Sequence, residues 1–132
     1  MIIGIDGNEA NVTNRVGVGQ YAFHSLLALY DLDQTNQYHI YLKNPPLTDL
    51  PPQRKNWQYH VFGPSFLWTK IALPLHLYLD QIKLDLFYSP SHYSPMFSPF
   101  PTVPTIHDLG YLQFPQQFTK KDFYQNPRMP DE

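Results

Sequence analysis

The chain opens on MIIGID (1–6), a short apolar run with no polar face. A strand of that kind has to be covered on both sides. It therefore belongs in the middle of a parallel sheet with helices above and below, which commits the chain to a layered α/β fold.

GNEANVTNRVG (7–17) is a polar loop containing Gly and Asn. From 19 to 32 the pattern becomes helical. Ala22, Leu26 and Leu29 form one stripe, and Phe23, Leu27 and Tyr30 lie beside it, giving a broad apolar face suited to a sheet. YHIYLKN (38–44) and WQYHVFG (57–63) read as the second and third strands, with a proline-broken loop between them. FLWTKIALPLHLYLDQIK (66–83) is apolar and long enough for a helix, which Pro74 must either kink or open as a second half. LDLFYSPS (84–91) and TVPTIHDL (102–109) read as the fourth and fifth strands. Pro104 makes the start of the fifth an edge or an irregular lead-in.

FTKKDFYQ (118–125) starts a last helix, with Thr119 as cap and Asp122 at the capping-box position. NPRMPDE (126–132) stops it. Right-handed crossovers then put the first strand at the centre, the second and third on one side, and the fourth and fifth on the other. The expectation is a Rossmann-like, largely parallel twisted sheet with helices on both faces.

Composition excludes several classes. The 132 residues suffice for one modest core. Nine basic and eleven acidic side chains leave a net charge of −2 with no basic stripe, so the footprint of a nucleic-acid binder is missing. Without cysteine there is no disulfide, thiol chemistry or thiolate metal site. The N-terminus lacks the pattern of a signal peptide, and no stretch approaches the roughly 20 apolar residues of a membrane span, so the expected location is the cytoplasm.

In an open parallel sheet, ligands bind beyond the carboxyl ends of the strands, where the strand order reverses. Three segments converge there: RVGVG (15–19), SPSHY (89–93) and HDLGY (107–111). Gly17-x-Gly19-x-x-Ala22 matches the dinucleotide fingerprint in letters but not in context. Ten residues separate it from Asp6, and the second strand ends in Lys43 and Asn44 where an acid is needed. NAD binding is therefore set aside. Glycines at a helix N-terminus still let an anion approach free N–H groups, and the alternative is a plain flexible turn.

His107 and Asp108 close an apolar strand, as a site pair or as a buried histidine beside a turn residue. Ser89, Ser91 and His92 lack a nucleophile-elbow context. His24, His39, His60 and His76 show no H-E-x-x-H spacing, so no metal site is expected. No pair of catalytic carboxylates stands out.

IGIDGNEANV, RVGVGQYAFHSLLALY, LPLHL, DLFYSPSHYSP and TIHDLGYLQFPQQFTKKD, in this order, resemble the N-terminal half of the GT-B retaining glycosyltransferases often called group one or family four. The resemblance covers residues 1–125 as a partial Rossmann-like domain, with 126–132 a polar tail outside it. It implies an acceptor-side domain that faces a nucleotide-sugar domain across a cleft. Gly17, Val18 and Gly19 match the loop that reaches the donor diphosphate, and Arg15 lies close enough to join it. His107 matches the histidine that hydrogen-bonds the donor sugar, with Asp108 its neighbour.

The resemblance further implies a sugar acceptor and a nucleotide-sugar co-substrate, no metal and no other cofactor. Peripheral membrane contact occurs in such relatives, but only Lys70 and Lys83 lie near the helix around Trp68. The closely spaced glutamates of the family's donor-binding domain have no counterpart in this sequence. The expectation is a truncated, acceptor-side part that is inactive alone, with a separately encoded partner domain and a fifth-strand edge open to self-association. The alternative is a Rossmann-like module that binds a nucleotide or phosphate without chemistry.

Overall fold

β1 (Ile2–Asp6) lies at the centre of a five-stranded sheet. β2 (Gln37–Leu42) and β3 (Trp57–Val61) flank it on one side, β4 (Leu86–Ser89) and β5 (Thr102–Pro104) on the other. All four pairings are parallel, with Ile3 opposite Tyr38 on one flank and Leu86 on the other. The computed structural model describes residues 1–108. The anticipated last helix (118–125) and Leu109 lie outside the described residues. Of the anticipated fifth strand only the first three residues form strand, and residues 105–108, including His107 and Asp108, lie beyond its end.

Strand alternation divides the core in two. On one face α1 (Val18–Leu32) lays Ala22 and Leu26 onto Ile5, Tyr38, Ile40, Leu42 and Trp57. On the opposite face Tyr41, Leu84 and Phe87 pack with Leu73 and Leu77 of α2 (Leu73–Leu79). Gly4 permits this second layer, since a Cβ there would stand 2.5 Å from Leu84 Cδ1 and 2.9 Å from Phe87 Cδ2.

Two local departures have clear causes. Pro74 is the second residue of α2, and the π-helical turn Trp68–Ala72 runs directly into it. Of the two options for Pro74, the second is the one observed. The β2–β3 crossover contains no helix. Its loop is held by Asn11, whose Nδ2 donates to the carbonyls of Asn44 and Pro45 and whose Oδ1 accepts from Leu47 N–H. It also inserts Leu50 into the α1-side core.

β5 has only three residues and ends in Pro104. Among the described residues it forms one edge of the sheet, and β3 forms the other. No helix among the described residues is long and apolar enough to cross a membrane.

Candidate functional site

The carboxyl ends of β1 and β4 flank the point where the strand order reverses. Gly17 is the residue before α1, with φ 44° and ψ −108°, a backbone conformation closed in practice to residues with a side chain. A Cβ on Gly17 would meet nothing within 4 Å, so its constraint is conformational. Gly19 differs: it is buried in the helix, and a Cβ there would lie 3.1 Å from the Glu9 carbonyl oxygen. The two glycines that look alike in sequence answer to different forces.

No side chain caps α1 and no acid lies in its first turn. The Gly19 N–H donates to Val16 O at 2.9 Å and the Tyr21 N–H to Gly17 O at 3.0 Å. Among the described residues the Val18 and Gln20 amides have no hydrogen-bond partner at the positive end of the helix dipole.

Tyr21 connects this turn to the far strands. Its ring meets the His107 imidazole edge-on, with centroids 4.9 Å apart. His107 Nε2–H donates to the Pro90 carbonyl at 2.9 Å, just past the end of β4. The Tyr21 hydroxyl lies 3.2 Å from that of Tyr88, and Thr105 Oγ1 donates to the Tyr88 oxygen at 3.4 Å. Burial pushes the Tyr88 phenol up, and the hydrogen bond from Tyr88 pulls Tyr21 down. The three segments from the ends of β1, β4 and β5 therefore meet on one rim.

His107 is exposed, which removes the buried-histidine alternative, and its bond to Pro90 fixes the tautomer that presents Nδ1 as an acceptor. Asp108 is also exposed.

Arg15 stands beside the glycine turn, but its guanidinium is occupied. Nη1 and Nη2 pair with Asp49 at 2.5 and 2.9 Å, Nε donates to Ala10 O at 2.6 Å, and the group lies 3.9 Å over the Phe23 ring. This fork pins the glycine loop to the β2–β3 crossover, so Arg15 positions the loop. The uncapped amides are what it leaves to meet an anion. Ser89 is fully buried and gives its hydroxyl proton to main-chain carbonyls, at 2.5 Å for Tyr93, which makes it a turn residue.

One group at this rim was not singled out in the sequence. Asp6, at the end of β1, is buried, and its Oδ1 accepts from Asn8 N–H at 3.0 Å and Asn8 Nδ2 at 2.8 Å. Burial raises its pKa to about 6 against the pull of those two bonds, with the nearby Glu9 charge adding to the rise. The available signal was an acid ending an apolar run.

Beneath the rim, between α1 and β4–β5, lies an apolar groove of about 390 Å³, lined by Ile3, Ala28, Leu29, Leu86 and Val103 with Ser25, Tyr38 and Tyr88. It contains none of the glycine-turn residues and is not the crevice itself. Among the described residues, one group has the composition of a metal site: His60, His76 and Asp80, on the α2 face. Comparison of the chain with models of protein families, with curated proteins and with solved structures finds no match.

Proposed function

We propose that this chain supplies the acceptor-side domain of a nucleotide-sugar-dependent retaining glycosyltransferase. The observation that carries the reading is the contact of His107 with Tyr21. The Tyr21 ring that His107 meets belongs to a residue one helical turn beyond Gly17, near the switch point where α/β sheets bind ligands, and this supports the reading.

On this reading a donor diphosphate approaches the Val18 and Gln20 amides, where N–H groups and the helix dipole oppose its charge. As the sugar–phosphate bond breaks, negative charge grows on the leaving diphosphate, and donors already in place stabilise it without reorganising. His107, oriented by Pro90, meets a sugar hydroxyl. Gly17 keeps the turn low enough for approach, and Arg15 with Asp49 holds the loop. Asp108 lies beside the sugar with no separate chemical step given to it. Turnover needs a donor-side domain across the cleft, so the purified chain alone transfers no sugar.

Titration of the chain with a nucleotide-diphosphate sugar, NAD and inorganic phosphate, followed by amide chemical shifts, tests this. The expected result is a response to the nucleotide sugar centred on residues 17–21 and 107, weakened at least tenfold by His107→Ala. Preference for NAD would favour the non-catalytic nucleotide-binding module. Turnover of a nucleotide sugar by the chain alone would contradict the half-site.

A further inference from the structure

The α2 face holds an arrangement that the proposed transfer reaction does not use. His39 on β2, His60 on β3 and His76 on α2 come together there although 21 and 16 residues separate them in sequence. His39 Nδ1 lies 2.7 Å from His60 Nε2, one of the two donating. His76 Nε2 lies 3.2 Å from Asp80 Oδ2, one turn on along α2. Yet His76 Nε2 is buried without a hydrogen-bond partner, so the pair is close but not bonded.

The Tyr41 ring, fully buried, stacks on His60 at 5.1 Å and meets His76 edge-on at 5.8 Å, and its hydroxyl also has no partner. The Tyr41 hydroxyl is desolvated with no return, and His76 Nε2 keeps only its contact with Asp80, outside hydrogen-bond geometry.

One ligand atom from each of His60, His76 and Asp80 lies within 4.8 Å of the others. Tetrahedral ligands at ~2.0–2.1 Å from a zinc ion stand ~3.3 Å from each other. The His76–Asp80 separation of 3.2 Å already has that spacing. The His60 nitrogen has to close by no more than ~1.5 Å. All three residues are half-buried, and the His76 Nε2 atom itself is buried.

We propose that His60, His76 and Asp80 bind a divalent cation of the zinc and cobalt class, cross-linking α2 to the β3 edge of the sheet. Two imidazoles and one carboxylate suit such a cation better than magnesium or calcium, which take all-oxygen shells. His39 is a positioning residue: its bond to His60 holds that ring's orientation, as outer partners of metal-binding histidines do. The site lies on the face opposite the glycine crevice, and its role is structural. It does not depend on the glycosyltransferase reading, and either can fail without the other.

The test is titration of the full chain with Zn²⁺ and with Co²⁺, read by calorimetry, by the visible absorption of tetrahedral cobalt, and by thermal melting. The expected result is one ion per chain and a melting temperature that rises with zinc. Asp80→Asn keeps a side-chain oxygen able to accept from Ile82 N–H, and its folding is checked by thermal melting without metal. It should lose the cobalt spectrum and at least tenfold in affinity, and His60→Gln should do the same. His39→Phe should weaken binding ~10–100-fold without changing the stoichiometry. His24→Ala and His92→Ala, outside the cluster, should change nothing. Absence of stoichiometric binding, or binding that survives Asp80→Asn in a folded protein, overturns the proposal.

Discussion

The two faces of this sheet are built from alternate residues of the same strands, yet they differ in kind. The α1 face is a continuous apolar layer in which Ile5, Leu26, Ile40 and Trp57 are fully buried. Its polar margins are well bonded, although the buried Trp57 Nε1 has no hydrogen-bond partner among the described residues. Asp33, at the end of α1, accepts from Thr35 N–H, Asn36 N–H, Asn36 Nδ2 and Tyr38 Oη–H, which hold its carboxyl well below the usual range. The α2 face rests on a shorter helix preceded by a π turn, and imidazoles are set among its aromatic rings. Burial on one side is closed and serves stability. On the other it retains groups that packing alone does not explain.

The largest expected effect tests the closed face. Trp57→Ala should cost about 3–5 kcal/mol in urea unfolding, because its buried ring packs edge-on to Tyr30 and against Tyr38. A loss under about 1 kcal/mol would break the contrast.

Next comes Asp6, which strand alternation places on the same side as Gly4. Its folded-state pKa of about 6 exceeds the reference 3.8, so the folded state holds an extra proton between those values. Stability from this group is present at acid pH and falls as pH rises through about 4 to 6. The expected loss is about 3 kcal/mol. His39 and His60 act with the opposite sign, since burial lowers their pKa values and their contribution falls as pH drops below 6.5. Asp33 and Asp49, both lowered, act below 3.8. The clean measurement is therefore a difference: Asp6→Asn should gain about 3 kcal/mol on the natural chain between pH 4 and 7. A pH-independent gap would refute the burial account.

A third comparison separates the glycines. Gly17→Ala should cost about 1–3 kcal/mol from backbone strain and weaken anion binding with it. Gly19→Ala should cost less, since only the Glu9 carbonyl must give by a few tenths of an ångström. Equal losses would mean that the turn is not the constraint.

The smallest effect sharpens the contrast most. In metal-free protein, His76→Leu should change stability by no more than about 1 kcal/mol, because it replaces an orphaned Nε2 with apolar surface against Phe62. The same variant should abolish any stabilisation by zinc. A large loss without metal would make His76 a core residue and nothing else.

Much of the fold was legible in sequence because periodicity is a local property. An apolar run with no polar side marked β1 as central. The 3.6-residue stripe through Ala22 and Leu26 marked α1, and Pro74 marked a kink or a second helical half. Crossover handedness then sufficed for the strand order that is observed. The meeting of Tyr21, Pro90 and His107 at one rim follows for the same reason, since topology alone says where chain segments come together.

Other features were not local. Nothing in RVGVG shows that Arg15 turns toward Asp49, 34 residues away, or that its paired glycines serve different ends. The absence of H-E-x-x-H spacing argued against a metal site, but that spacing describes ligands on one helix. The cation ligands proposed above stand instead on β3 and at the end of α2, with His39 of β2 against His60, and only tertiary packing brings these imidazoles together. The sequence by itself determined which residues must leave water, because hydrophobic periodicity is written along the chain. The tertiary structure alone decided which polar groups face each other, because that depends on how distant strands and helices come into register.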